Sequence, residues 1–119
     1  MIMIHRVSKS ENHVVYALEK KQEFFSGFRK FLEALGFGDE NSDPGIYGFG
    51  RSLDNDGEPI TSKEDDIDKY VDKHYSFRDD KYIIDVIFSA KKVYMIISTK
   101  KDRQDEISKQ INDFCSFES

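Results

Sequence analysis

The 119-residue chain has no tryptophan, a single cysteine, two prolines and three methionines. With only Cys115, an intramolecular disulfide framework and an all-cysteine zinc site are excluded. No apolar run approaches the ~18 residues that a membrane-spanning helix needs. The opening Met1-Ile2-Met3-Ile4 is too short for the apolar core of a signal peptide, and no small-residue cleavage site follows it. Neither a membrane span nor a secretory leader is therefore expected. Apolar residues are scarce, at 38%, and charged residues abundant, at 34%, which assigns part of the chain to solvated loop. What is plentiful is phenylalanine and tyrosine, ten and six respectively. The length suits one domain, which at this size buries roughly two-thirds of the surface of its unfolded chain.

Apolar periodicity predicts a small α+β domain covering residues 1–119. Glu11 to Leu35 reads as a long N-terminal helix: Phe24, Phe25, Phe28, Phe31, Leu32 and Leu35 recur at i, i+3, i+4 and i+7 and form one stripe. Ser10 is placed to cap it, and Gly36 and Gly38 to end it. Gly27 inside the pattern marks a kink or a close contact. His13-Val14-Val15-Tyr16 has strand-like composition and works against this assignment. Residues 36–61 hold six of the seven glycines and both prolines, which is the chemistry of a long loop. Ser62 and Asp65 resemble a capping box that opens a short helix over 63–74, with Ile67, Tyr70, Val71 and His74 on one face. Tyr82 to Phe88 and Val93 to Ile97, separated by Ser89-Ala90-Lys91-Lys92, predict an antiparallel hairpin. Its strands are apolar on both sides, so both faces are expected to be covered at least in part, one of them by helices. Asp102 to Phe117 completes the chain as a C-terminal helix with Ile107, Ile111, Phe114 and Cys115 on its buried edge.

The formal net charge of −5 is unevenly spread. Residues 39–80 carry thirteen acidic and five basic groups, whereas 1–38 have a net +2 and 81–119 a net +1. A block with net −8 repels nucleic acid, whose binding depends on cations displacing phosphate counterions. It attracts a basic protein surface instead.

No spacing in the chain matches a catalytic or cofactor motif, so no cofactor is expected. Asp54-Asn55-Asp56-Gly57-Glu58 aligns with the middle of a calcium loop, but Ser52 then stands at the first ligand position and Lys63 at the bidentate one. A tight turn at Asn55-Asp56-Gly57 is the better reading. Gly45, Gly48 and Gly50 resemble a phosphate-binding loop but are preceded by a proline-containing loop and followed by an acidic one. His5, His13 and His74 are widely separated, and no metal site is expected. Cys115, near the end of a helix, lacks the positive field that activates a thiolate and reads as buried filler. Asp85 interrupts an apolar strand, as an edge-blocking charge, a partner for a lysine or a functional carboxylate.

The remaining candidates are the carboxylates and aromatics of the acidic block: Tyr47, Phe49, Asp54, Asp56, Glu58, Glu64, Asp65, Asp66, Asp68, Tyr70 and Asp72. Tyrosine is enriched at interface hot spots, and carboxylates steer a basic partner into register. A small, acidic, single-domain α+β chain with this Asp54–Asp72 segment resembles bacterial toxin-immunity proteins, including those of contact-dependent growth-inhibition systems. The resemblance spans the chain in size and charge and matches no motif position by position. It implies a cytoplasmic, non-enzymatic protein that binds a cognate toxin domain, often a basic nuclease, and occludes its active site. The carboxylates then stand in electrostatically for substrate phosphates. A monomer in a 1:1 complex is expected, with no direct contact to nucleic acid or membrane. Two alternatives stand beside it. One is a small hydrolase or transferase built from His74, Asp85 and loop carboxylates. The other is a structural or regulatory adaptor that dimerises through its hairpin edge.

Overall fold

Residues 1–37 and 66–117, together with the backbone of 51 and 52, are described by a computed structural model. The chain begins with two strands, β1 (Ile2–Lys9) and β2 (His13–Glu19), paired antiparallel. Ile2, Ile4, Val14, Tyr16 and Leu18 alternate with less buried residues and point to one side. That period of two, with β-branched and aromatic side chains, outweighs the helical spacing that starts only at Phe24. Ser10 makes the turn rather than a helix cap: its hydroxyl accepts from the backbone N–H of Asn12 (3.3 Å) and of His13 (3.2 Å). The expected N-terminal helix from Glu11 to Leu35 is thus replaced by most of a hairpin and the shorter helix α1 (Phe24–Ala34). Its end is as expected. Gly36 adopts φ +95°, its N–H donates to Glu33 O (3.0 Å), and the N–H of Phe37 donates to Leu32 O (2.9 Å), the two bonds of a Schellman cap.

Beyond α1 come β3 (Arg51–Ser52), a 3₁₀ turn (Ile67–Lys69), β4 (Lys73–Arg78), β5 (Ile83–Phe88), β6 (Lys92–Ser98), α2 (Lys101–Ile111) and β7 (Cys115–Phe117). The strands form one mixed sheet in the order β3-β4-β5-β6-β2-β1-β7, parallel at β1–β7 and antiparallel elsewhere. The β5–β6 hairpin is where the sequence places it. The short helix expected over 63–74 is instead a single 3₁₀ turn followed by β4, because Tyr75 and Phe77 alternate inward. Its capping residue Ser62 and its start at 63–65 lie outside the described residues. The C-terminal helix stops at Ile111, and Cys115–Phe117 leave it to pair with Ile2–Ile4. The hairpin offers no edge for dimerisation, since β5 is already paired to β4 and β6 to β2.

Both helices lie on one face of the sheet. Phe24 and Phe28 stack at 5.1 Å, and edge-on contacts join Phe24 to Phe88 (5.8 Å) and Phe28 to Phe77 (5.4 Å). Ile107 and Ile111 of α2 are fully buried, and the Tyr16 hydroxyl meets Ser108 Oγ at 3.2 Å. On the opposite face Val15, Ile87, Tyr94 and Ile96 are only half-buried, and Ile83 is exposed. Cover is thus seen on the helix side, and among the described residues no helix or strand packs over this second face.

Candidate protein-binding site

The described part of the acidic block is 66–80, and it opens with the strip Asp66–Asp72, which leads into β4. Two apolar residues anchor it. Ile67 is buried, and the Tyr70 ring packs at 5.2 Å from Phe25 and 5.0 Å from Phe88. Three polar contacts pin the backbone between them. Gln22 Oε1 accepts the N–H of Ile67 (3.0 Å), and Lys20 Nζ donates both to the Tyr70 carbonyl and to Ser89 O (2.8 Å). The third is internal: Asp66 caps the 3₁₀ turn, its carboxylate accepting the N–H of Asp68 at 3.0 Å.

The exposed side chains of the strip are Asp66, which also caps the turn, with Asp68, Lys69, Val71 and Asp72. Asp72 has φ +55°, a left-handed conformation that aspartate tolerates better than a branched side chain. Three carboxylates are thereby presented on a backbone that cannot swing freely. Tyr70 belongs to the core, 9% exposed, and is not the interface aromatic that its sequence position suggests. Tyr47, Phe49, Asp54, Asp56, Glu58, Glu64 and Asp65 lie outside the described residues, as do the calcium-like loop and the glycine-rich loop.

A second constellation joins His74 and Asp85, whose Nε2 and Oδ1 are 2.9 Å apart. Sequence separates them by eleven positions, and the β4–β5 register brings them together. His74 lies opposite Ile87, and Asp85 opposite Ser76, so the pair bridges one diagonal of the open face. The Ser76 hydroxyl accepts from Arg78 Nε at 3.2 Å. His5 shares the face, but three strands lie between it and His74, about 19 Å at the usual strand spacing. His13 Nδ1 meets Ser10 Oγ at 3.1 Å. Among the described residues no three His, Cys, Asp or Glu side chains gather as a metal site.

A surface pocket of about 260 Å³ lies elsewhere, lined among others by Asn12, Asp79, Lys81, Tyr82, Thr99 and Arg103. Asp79 Oδ1 accepts the N–H of Lys81 (2.8 Å) and of Tyr82 (2.7 Å), and Thr99 Oγ1 donates to Lys81 O (3.0 Å), so these polar groups hold the pocket wall together. Neither His74 nor Asp85 lines it. Cys115 is buried on β7 beneath the helices, and burial, aided by the Glu23 carboxylate, pushes its thiol up to about 12. It is an inert filler, as expected, though in a strand and not a helix.

A scan against protein-family models and searches of curated proteins and of solved structures find no match to this chain. No helix among the described residues is long and apolar enough to cross a membrane.

Proposed function

We propose that this chain is a non-enzymatic binding protein of the immunity or inhibitor kind, which meets a basic toxin domain, most plausibly a nuclease, through its acidic segment. It acts in the cytoplasm, binds one partner per chain, and masks the cationic groups with which the partner holds its substrate. The observation that carries this reading is the anchoring of Asp66–Asp72: Ile67 and Tyr70 sink into the core while Asp66, Asp68 and Asp72 stay exposed around them. Charges held on fixed backbone steer a partner without the ordering cost that a free loop meets on binding.

Co-expression with the protein encoded by the neighbouring reading frame, followed by stopped-flow association, tests it. The triple variant Asp66→Asn, Asp68→Asn, Asp72→Asn is expected to associate about tenfold more slowly at low salt, with the difference shrinking as salt screens the pair. Equal rates for variant and parent at both salt concentrations would remove the proposal.

One specific observation favours a second reading, a small hydrolase or transferase: the 2.9 Å contact of His74 with Asp85, a carboxylate orienting an imidazole. Hydrolysis of p-nitrophenyl acetate or bis-p-nitrophenyl phosphate that disappears in both His74→Ala and Asp85→Asn would support it. Turnover that survives either substitution sinks it.

A further inference from the structure

The sheet face turned away from α1 and α2 has two halves that complement one another. Along the β2–β6 boundary, Glu19 lies beside Lys92, Ala17 beside Tyr94, Val15 beside Ile96 and His13 beside Ser98. We propose that two copies of this chain pair through this face, sheet on sheet, about a two-fold axis that runs along the strands between β2 and β6. Such an axis lays every β2 residue over the β6 residue that is its register neighbour in the other copy. It also lays β1 over β5.

The consequences are favourable at each level of the strand pair. Glu19 meets the partner's Lys92, and Lys92 meets the partner's Glu19. Ala17, small and only 3% exposed, lies under the partner's Tyr94. Val15 meets the partner's Ile96, and His5 lies over the partner's Ile87. Small against large and acid against base is the pattern that lets aligned sheets interdigitate about 10 Å apart. An isologous contact needs this self-complementarity.

The ionic part is prepared in the single chain. The Met3 N–H donates to Glu19 Oε1 at 2.7 Å and, with the exposed Lys21 ammonium 3.5 Å from the same oxygen, holds that carboxyl below its usual range, so it is charged at neutral pH. The Lys92 ammonium has no ion pair among the described residues. Among the described residues of the face, Glu19 and Asp85 balance Arg78 and Lys92, on a chain with net charge −5. Two copies can therefore meet here without the repulsion that the acidic block would impose.

Six of the seven strands overlap across this axis, β3 lying beyond the overlap. At about 4.8 Å spacing and about six residues per strand they span roughly 29 by 20 Å. That projection, roughly 580 Å² per copy before side-chain relief is added, lies near the lower end of specific interfaces, about 600 Å² per partner. Asp66–Asp72 packs on the helix side of the sheet through Ile67 and Tyr70, so each copy keeps its own acidic segment free. The dimer replaces the expected monomer but leaves one partner per chain, and it does not depend on the immunity reading.

Light scattering on the full chain, from about 5 to about 200 µM, tests it through mass action. The expected result is twice the monomer mass at the upper end. Lys92→Glu, an exposed substitution, is expected to raise the dimer dissociation constant about tenfold or more with an unchanged far-ultraviolet circular dichroism spectrum. The exchange Glu19→Lys with Lys92→Glu restores dimerisation if the two groups meet across the axis. A wild-type monomer throughout the range overturns the proposal and leaves the face to a different occupant. A dimer whose dissociation constant is unmoved by Lys92→Glu overturns it as well.

Discussion

Gly27 stands on the buried side of α1, where the connection from α2 to β7 comes closest. A Cβ built there would sit 2.5 Å from Cδ2 of Phe114 and 2.9 Å from its Cβ and Cγ. A flexible tip could rotate away, but the Phe114 Cβ is fixed to its backbone, and the ring is held at 5.8 Å from Phe31. Alanine would otherwise raise helix propensity by about 1 kcal/mol. The overpacking penalty of about 1–3 kcal/mol exceeds that gain. Gly27→Ala is therefore expected to lower the urea midpoint, by up to about 2 kcal/mol of stability. A variant more stable than the parent would show that α1 and Phe114 are not in this contact. Of the kink and the close contact that the sequence leaves open at Gly27, the close contact is the one the fold uses.

At the scale of elements, the residues that could be read were those whose local pattern and tertiary role coincide. The β5–β6 hairpin is rich in β-branched and aromatic residues, bounded by Asp79–Lys81 and Ser89–Lys91, and lies where expected. The phenylalanine stripe of α1 and its Gly36 stop were equally legible. Illegible were segments whose pattern is short or shared between two periods. Val14, Tyr16 and Leu18 suit a strand, yet a helical window drawn back from Phe24 absorbs them. Cys115–Phe117 is strand because Ile2–Ile4 lies beside it, and 113 residues of separation leave no local trace of that partner. The same holds for the candidate sites. That Asp66, Asp68 and Asp72 are exposed follows from their chemistry, whereas Tyr70 required knowing that Phe25 and Phe88 wait beneath it. His74 and Asp85 were each visible, but only the β4–β5 register makes them a pair. The apolar second side of β5 and β6 was visible too. That side is the face that the proposed dimer closes.

For the whole molecule, β7 joins the C-terminal end of the chain to the N-terminal strand and seals the sheet over Cys115, and this gives the fold a dependence on alkaline pH. The Cys115 thiol is raised from its ordinary value near 9 to about 12, chiefly by burial. Burial likewise raises the phenol of Tyr82, on the opposite part of the sheet. A group raised in the folded state binds its proton more tightly there than in the unfolded chain. Its contribution is complete below the unfolded value and disappears as pH climbs through the folded one. Between about pH 9 and about pH 12, Cys115 alone would lower stability with a slope approaching ~1.4 kcal/mol per pH unit, and Tyr82 adds to the loss at the upper end. Urea midpoints measured under reducing conditions are expected to be level from pH 7 to 8.5 and to fall steeply beyond. Cys115→Ala should start lower, because it leaves a small cavity, and then fall less steeply, since only the phenol remains to be ionised. Parallel curves for the two proteins would mean that the thiol is already accessible to water, and that β7 does not close the sheet as described.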